Sequence, residues 1–246
     1  MSDTMRAVVT AEPGGPEVLS VRSLPVPVPG AGQVRVRTRT SGINRADLLQ
    51  RLGRYPAPAG WPQDIPGLEV AGHVDAVGPG VTRWKEGDAV MGIVGGGGYA
   101  ERVLIPADNA VPVPDGVSVE DAGAVPEVFM TAFDAVFLQE KLSRGETLLI
   151  HAVGSGVGTA ALQMAVAAGA RVLGTSRTPA KLQRAEALGL EHPILGEDGW
   201  PARVLSLTGE RGADVILDLV GGPYLEGNQK VLARRGRHIV VGVPGG

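Results

Sequence analysis

Apolar and polar residues alternate in two different rhythms along this chain, and the change falls at about residue 117. Before it, apolar positions come in short β-branched runs. Arg6-Ala7-Val8-Val9-Thr10 and Val18-Leu19-Ser20-Val21 predict a hairpin around the turn-rich Pro13-Gly14-Gly15-Pro16. From Val34 to Thr40, apolar residues or threonine alternate with cations, the pattern of a strand with one buried and one solvated face. Val70 to Val77 and Asp88 to Val94 predict further strands between glycine and proline turns. Many short strands punctuated in this way predict a partly open β-barrel.

After the change the period lengthens. Val119 to Leu138 reads as helix, interrupted at Pro126, and Arg144-Gly145-Glu146 as a turn. Thr147-Leu148-Leu149-Ile150-His151-Ala152 is apolar on both faces, as a central parallel strand requires. Gly154-Ser155-Gly156-Val157-Gly158 follows, then an alanine-rich helix to Ala168, Gly169 as its C-cap, and a strand from Arg171 to Thr175. This is a βαβ unit of the ~30 residues that a dinucleotide-binding fingerprint occupies. Helices from Ala180 to Leu188, Trp200 to Leu207 and Tyr224 to Ala233 alternate with strands at His192 to Leu195, Asp214 to Asp218 and His238 to Gly242. The whole predicts an α/β protein: residues 1–122 as a β-rich domain and residues 123–246 as a doubly wound parallel sheet. The sheet reaches five strands where a complete one has about six. The chain is therefore expected to be shorter than a finished enzyme, marginal in stability and weak in activity.

Composition narrows the chemistry. There is no cysteine, which excludes disulfides, thiolate catalysis and every cysteine-containing zinc site. A net charge of -3 argues against nucleic acid as the main partner. No apolar run approaches the ~20 residues of a membrane helix, and Met1 to Arg6 lacks the layout of a signal peptide. The cytoplasm is the expected compartment.

The segment Gly154, Ser155, Gly156, Val157 and Gly158 joins a strand to a helix. Glycines there let a backbone approach a pyrophosphate, and the helix N-terminus offers it free N–H groups. Thr159 stands where a full G-x-G-x-x-G would end, so on its own the loop could be an ordinary glycine-rich turn; the βαβ context favours a dinucleotide. Past the second strand, an NAD site usually carries an acid for the ribose 2′-hydroxyl. This chain has Ser176, Arg177 and Lys181 instead. Two cations near a helix N-terminus are unfavourable unless an anion joins them, and a 2′-phosphate is such an anion. The expected cofactor is NADPH (NADP+). Val220, Gly242 and Val243, at later strand ends, complete the candidate cofactor-binding set.

The remaining motifs point to one family. Ser41-Gly42-Ile43-Asn44-Arg45-Ala46-Asp47, Pro66-Gly67-Leu68-Glu69-Val70-Ala71-Gly72, Gly98-Tyr99-Ala100-Glu101 and Thr131-Ala132 stand in the order of the quinone oxidoreductase signatures. Over essentially its whole length the chain resembles the zinc-free, zeta-crystallin-like quinone oxidoreductases of the medium-chain dehydrogenase/reductase superfamily. His151 to Ala161 is similar to the cofactor loop of the tumour-suppressor-inducible subgroup. The resemblance implies a GroES-like barrel followed by a Rossmann domain, and hydride transfer from NADPH to a quinone or an enone. It also implies that Asn44, Tyr55 and Thr131 lie around the nicotinamide and substrate, and that full-length relatives continue beyond Gly246 and pair as homodimers.

Zinc-dependent cousins carry a cysteine at the position of Asn44 and a histidine at that of Leu68, and neither replacement holds zinc. Relatives often place a tyrosine beyond the third strand near the adenosine phosphate, whereas Leu195-Gly196 offers no hydroxyl here. Read without the family, Asn44 could cap the helix that follows it, Asp47 could pair with a cation and Tyr55 could anchor a loop. His151 and His73 read as packing residues. Two rival functions stay open: an enoyl-thioester reductase of the same superfamily, and a non-catalytic NADP(H)-binding or regulatory protein.

Overall fold

The predicted hairpin is β1 (Thr4–Thr10) paired antiparallel with β2 (Leu19–Pro25), Thr10 facing Leu19. The structure, a computed structural model, describes residues 4–242. The chain divides into two compact units, Met1–Glu127 and Val128–Gly246.

In the first unit, β3 (Gln33–Thr40), β4 (Glu69–Val77), β5 (Ala89–Ile93), β6 (Arg102–Pro106) and β7 (Val111–Pro112) form an antiparallel sheet in the order β6-β3-β4-β5-β7. An isolated bridge from Ala7 to Ala100 ties the hairpin to the loop before β6. The alternation read from β3 is explained by the two faces of the strand. Val34 and Val36 pack into a core with Val70, Val74, Val90, Val103 and Ile105. On the other face, the Arg35 Nε donates to Asp75 Oδ1 at 2.7 Å and the Arg102 Nε to Asp75 Oδ2 at 2.9 Å. One carboxylate on β4 thus serves cations from two strands. Helices α1 (Arg45–Arg51) and α2 (Val119–Ala122) belong to this unit, and α3 (Pro126–Phe133) begins at Pro126, the residue at which the helical stretch was expected to break. A wider π-helical segment, Asp134–Gln139, continues α3.

The second unit alternates strands with helices: β8 (Thr147–Ile150), α4 (Gly156–Ala167), β9 (Arg171–Ser176), α5 (Pro179–Glu186), β10 (His192–Leu195), α6 (Trp200–Leu207), β11 (Ala213–Asp218), α7 (Gly222–Val231) and β12 (Leu232–Val240). The strands are all parallel, in the order β10-β9-β8-β11-β12. β8 is central, and all four of its residues are buried. Leu148 and Ile150 face Leu162 and Ala165 of α4, while Leu149 faces Leu173, Trp200 and Ile216 on the other side. Burial on both faces is why the run carries no polar alternation. Each such side chain contributes about 1.5–3 kcal/mol.

The last strand departs from expectation. It begins at Leu232 instead of His238, and α7 ends at Val231. The Arg234-Arg235-Gly236 stretch, which resembles a turn in sequence, is absorbed as an irregularity. Arg235 takes a left-handed φ of 65°, and the register jumps from Ala213–Leu232 to Val215–Arg237. The Arg237 guanidinium then forms a two-pronged pair with Glu146, both contacts at 2.8 Å. Among the described residues, no helix is long and apolar enough to cross a membrane.

Candidate functional site

Chain order reverses at β8, with β9 and β10 on one side and β11 and β12 on the other. Open parallel sheets bind ligands at that point, outside the carboxyl ends of the strands. A cavity of about 420 Å³ opens there, and its lining includes Gly154, Ser155, Ser176, Arg177, Lys181 and Val220 from the candidate set, together with Ala152, Thr178, Leu219, Pro223 and Tyr224.

The floor is the loop between β8 and α4. Ser155 caps α4, its Oγ accepting from the Gly158 N–H at 3.1 Å. A Cβ on Gly158 would lie 2.6 Å from the Ala152 carbonyl oxygen and 2.7 Å from that of Val153, so only glycine lets the helix start this close to the strand end. A Cβ on Gly154 would meet the Lys181 side chain at 2.6 Å. Gly156 and Val157 form the first turn of α4, which carries no acidic residue, so its N–H groups and dipole face no competing anion.

The cationic rim lies where β9 runs into α5. Arg177 and Lys181 are exposed, and neither pairs with a carboxylate among the described residues. Ser176 lines the cavity from the end of β9. It is buried, and its Oγ accepts from the Thr178 N–H at 3.2 Å, closing the turn. Gly242 follows β12 at the edge of the sheet, and Val243 lies outside the described residues.

Sequence reasoning found no hydroxyl at Leu195-Gly196, yet the structure brings one there from another element. Tyr224 of α7 places its hydroxyl 3.4 Å from the Gly196 carbonyl oxygen. Its ring stacks on Trp200 at 5.3 Å and meets His151 edge-on at 4.6 Å. No local signal marks it, because a tyrosine in a helix far along the chain resembles any half-buried aromatic.

Beneath the cavity, His151 is fully buried. Asn228 Nδ2 donates to Asp218 Oδ2 at 2.9 Å, which turns Asn228 Oδ1 toward His151 Nε2 at 2.6 Å. Nε2 therefore carries the proton, and Nδ1 accepts from the Thr175 hydroxyl at 2.9 Å. Asp218 Oδ1 accepts from the Val220 and Gly221 N–H groups at 2.8 and 2.9 Å, fixing the cavity wall that Val220 forms. Burial pushes the His151 imidazole down to about 4. An unfolded imidazole takes up a proton near pH 6.5, whereas the folded one waits until about 4. Stability is then complete above pH 6.5 and falls as pH drops through that window, by up to about 1.4 kcal/mol per pH unit. His151→Gln, which does not titrate, is expected to flatten this slope in denaturant titrations between pH 6.5 and 4.5. Equal slopes in the two proteins would defeat the assignment.

In the first unit, Asn44 is the N-cap of α1. Its N–H donates to Asp47 Oδ2 at 2.7 Å and its side-chain Nδ2 to Glu69 Oε1 at 2.7 Å. Asp47 also accepts from the Tyr99 hydroxyl at 2.9 Å, so it takes neutral donors in place of a cation. Glu69, which sequence reasoning did not single out, is 1% exposed, and its Oε2 accepts from the Glu127 N–H at 2.9 Å. Burial raises the carboxyl groups of Asp47, Glu69 and Glu127 above the usual range. A Cβ on Gly42 would overlap Glu69 Oε1. The G-x-N-x-x-D spacing thus has a physical meaning here: Gly42 makes room for a carboxylate, Asn44 donates to it and Asp47 closes the helix cap.

Tyr55 is exposed in the loop after α1, and Thr131 is half-buried on α3 in the second unit. A cavity of about 660 Å³ in the first unit, walled by Leu24, Trp61, Pro62, Ile65 and Leu104, includes neither Asn44 nor Tyr55. Zinc does not fit these residues. The Asn44 amide is engaged by Glu69, Leu68 is buried hydrocarbon, and the described residues hold no cluster of three metal-ligating side chains.

Two family models match the chain, "Alcohol dehydrogenase GroES-like domain" over residues 30–115 and "Zinc-binding dehydrogenase" over residues 156–246. The quinone oxidoreductase of Rattus norvegicus is 34% identical over 248 residues, covering 98% of this chain and 74% of that protein. The chain belongs to the medium-chain dehydrogenase/reductase superfamily. The chain also matches polyketide synthase GfsB of Streptomyces halstedii, 38% identical over 203 residues; this covers 82% of the chain but spans only 4% of that synthase. Among solved structures, an NAD-dependent alcohol dehydrogenase superposes with a TM-score of 0.91 at 38% identity, covering 98% of this chain and 78% of that one. CurK enoyl reductase superposes with a TM-score of 0.90 at 28% identity, covering 99% and 75%. Membership makes this chain one of a family of oxidoreductases that use nicotinamide dinucleotides.

Proposed function

We propose that this chain is an NADPH-dependent, zinc-independent oxidoreductase of the cytoplasm that delivers hydride to quinones or related α,β-unsaturated carbonyls. The observation that carries the cofactor choice is the pair of cations at the end of β9, Arg177 and Lys181, which meet no carboxylate among the described residues, in a turn whose sequence holds no acid for a ribose hydroxyl. The NAD-dependent neighbour pulls the other way, but that name describes another chain, and the residues at this rim favour a phosphate. The quinone oxidoreductase relatives support the substrate class.

A bound dinucleotide supplies the hydride. The α4 N-terminus and its glycines would hold the pyrophosphate, and Arg177 and Lys181 the adenosine phosphate. Asn44, Tyr55 and Thr131 are proposed to border the nicotinamide and the acceptor. With one amide proton of Asn44 committed to Glu69, its amide plane is fixed and its remaining polar positions can orient an acceptor. The exposed Tyr55 hydroxyl can donate to a developing quinone oxyanion.

Calorimetric titration with NADPH and NADH, followed by NADPH oxidation in the presence of a simple benzoquinone, tests the reading. Tighter NADPH binding with quinone-dependent oxidation is expected. Superimposable curves for the two cofactors would overturn the cofactor choice, and binding without turnover would favour a non-catalytic binder. The CurK enoyl reductase likeness supports a second reading, enoyl-thioester reduction. Faster turnover of a crotonyl thioester than of any quinone would favour it.

A further inference from the structure

The cavity at the end of β9 contains a phenol that no sequence motif foretells. We propose that the Tyr224 hydroxyl is a specificity-determining ligand of the phosphate on the adenosine ribose, acting with Arg177 across the rim of the cavity. This rests on the reading of NADPH as the cofactor.

Three observations carry it. The first is position: Tyr224 lines the same cavity as Arg177 and Lys181 but reaches it from α7, the opposite flank of the sheet. A point 2.7 Å from the hydroxyl, where a Cβ on Gly196 would stand, is also 3.5 Å from the Ser176 carbonyl carbon and 3.7 Å from the Arg177 backbone nitrogen. Glycine at 196 is what leaves the hydroxyl its place beside the β9–α5 turn.

The second is an unspent hydrogen bond. Among the described residues, the hydroxyl reaches only the Gly196 carbonyl oxygen, at 3.4 Å, whereas a sound O–H···O bond spans about 2.5–3.0 Å. A phosphate oxygen would be a stronger acceptor than that distant carbonyl. Ser176, by contrast, is buried, its Oγ accepting from the Thr178 N–H, so Tyr224 adds a half-buried donor from α7 to those of the β9–α5 turn.

The third is rigidity. The ring stacks on Trp200 with planes 18° apart and is braced edge-on by the buried His151. The hydroxyl is therefore held in place before any ligand arrives, which keeps the ordering cost of binding low.

The experiment compares dissociation constants for NADPH and NADH in the wild-type chain and in Tyr224→Phe, which keeps the ring and removes only the oxygen. In the wild type, NADPH should bind more tightly. In the variant, the ratio of the two constants should move about tenfold toward NADH, as loss of a hydrogen bond to a charged group does. A wild-type preference that Tyr224→Phe leaves intact overturns the role of Tyr224 while sparing the cofactor reading. A wild type that binds both alike overturns the cofactor reading, and the Tyr224 assignment with it. Should Tyr224→Phe fail to fold, Gly196→Ala, whose Cβ displaces the hydroxyl, is expected to shift the same ratio, and an unchanged ratio there counts against the proposal. A defect of structure alone would weaken both cofactors together and leave the ratio where it was.

Discussion

Alanine at both Arg177 and Lys181 is expected to weaken NADPH binding by about 100-fold while changing NADH binding less than about threefold. Each cation loses a charge-assisted hydrogen bond worth about 1.5–3 kcal/mol. Both side chains are exposed, so solvent screening holds the pair near the lower end of that range. They share one phosphate, so their separate losses do not add. The NADPH penalty should shrink as salt rises, because screening already weakens the wild-type contact. Calorimetry at two ionic strengths checks both points. A double variant that loses both cofactors equally would mean that the two residues support the fold of the turn and not a phosphate.

The second large effect concerns Glu69. Glu69→Ala removes the acceptor of both the Asn44 Nδ2 and the Glu127 N–H, leaving two half-buried donors without that partner. Each orphaned donor costs about 1–3 kcal/mol when fully buried, so for these two half-buried ones a loss of about 2–4 kcal/mol, the lower part of the summed range, is expected. Glu69→Gln keeps the shape but turns an N–H toward one of those donors, and about 1–3 kcal/mol should go. Denaturant titration of both variants is the measurement. Stability of Glu69→Gln within about 0.5 kcal/mol of wild type would show that the buried carboxylate is not what the two donors need.

What could be read in advance was what depends on neighbours in sequence. The βαβ unit from β8 to β9 is visible because a run buried on both faces, a glycine loop and an alanine-rich helix are local patterns. The alternation of Val34 and Val36 with Arg35 and Arg37 located β3 for the same reason. What stayed hidden depends on residues brought together from afar. Tyr224 looked like one more helical aromatic until β11 and α7 carried it over Trp200. Glu69 stood inside a recognised motif, yet its importance lies in Asn44, Glu127 and the space left by Gly42. The early start of β12 was missed because Arg235 and Gly236 have the composition of a turn, and only pairing with β11 makes a strand of them.

The chain of hydrogen bonds from Thr175 through His151 and Asn228 to Asp218, and on to the Val220 and Gly221 amides, fastens together the ends of β9, β8 and β11 with the start of α7. Three walls of the cavity therefore do not have to find one another when a ligand enters. The entropy lost on binding falls mainly on the two long cations at the rim, at about 0.5–1.5 kcal/mol for each immobilised side chain. The selectivity of this cavity is the attraction of its rim for an anion, reduced by the cost of stilling those two arms.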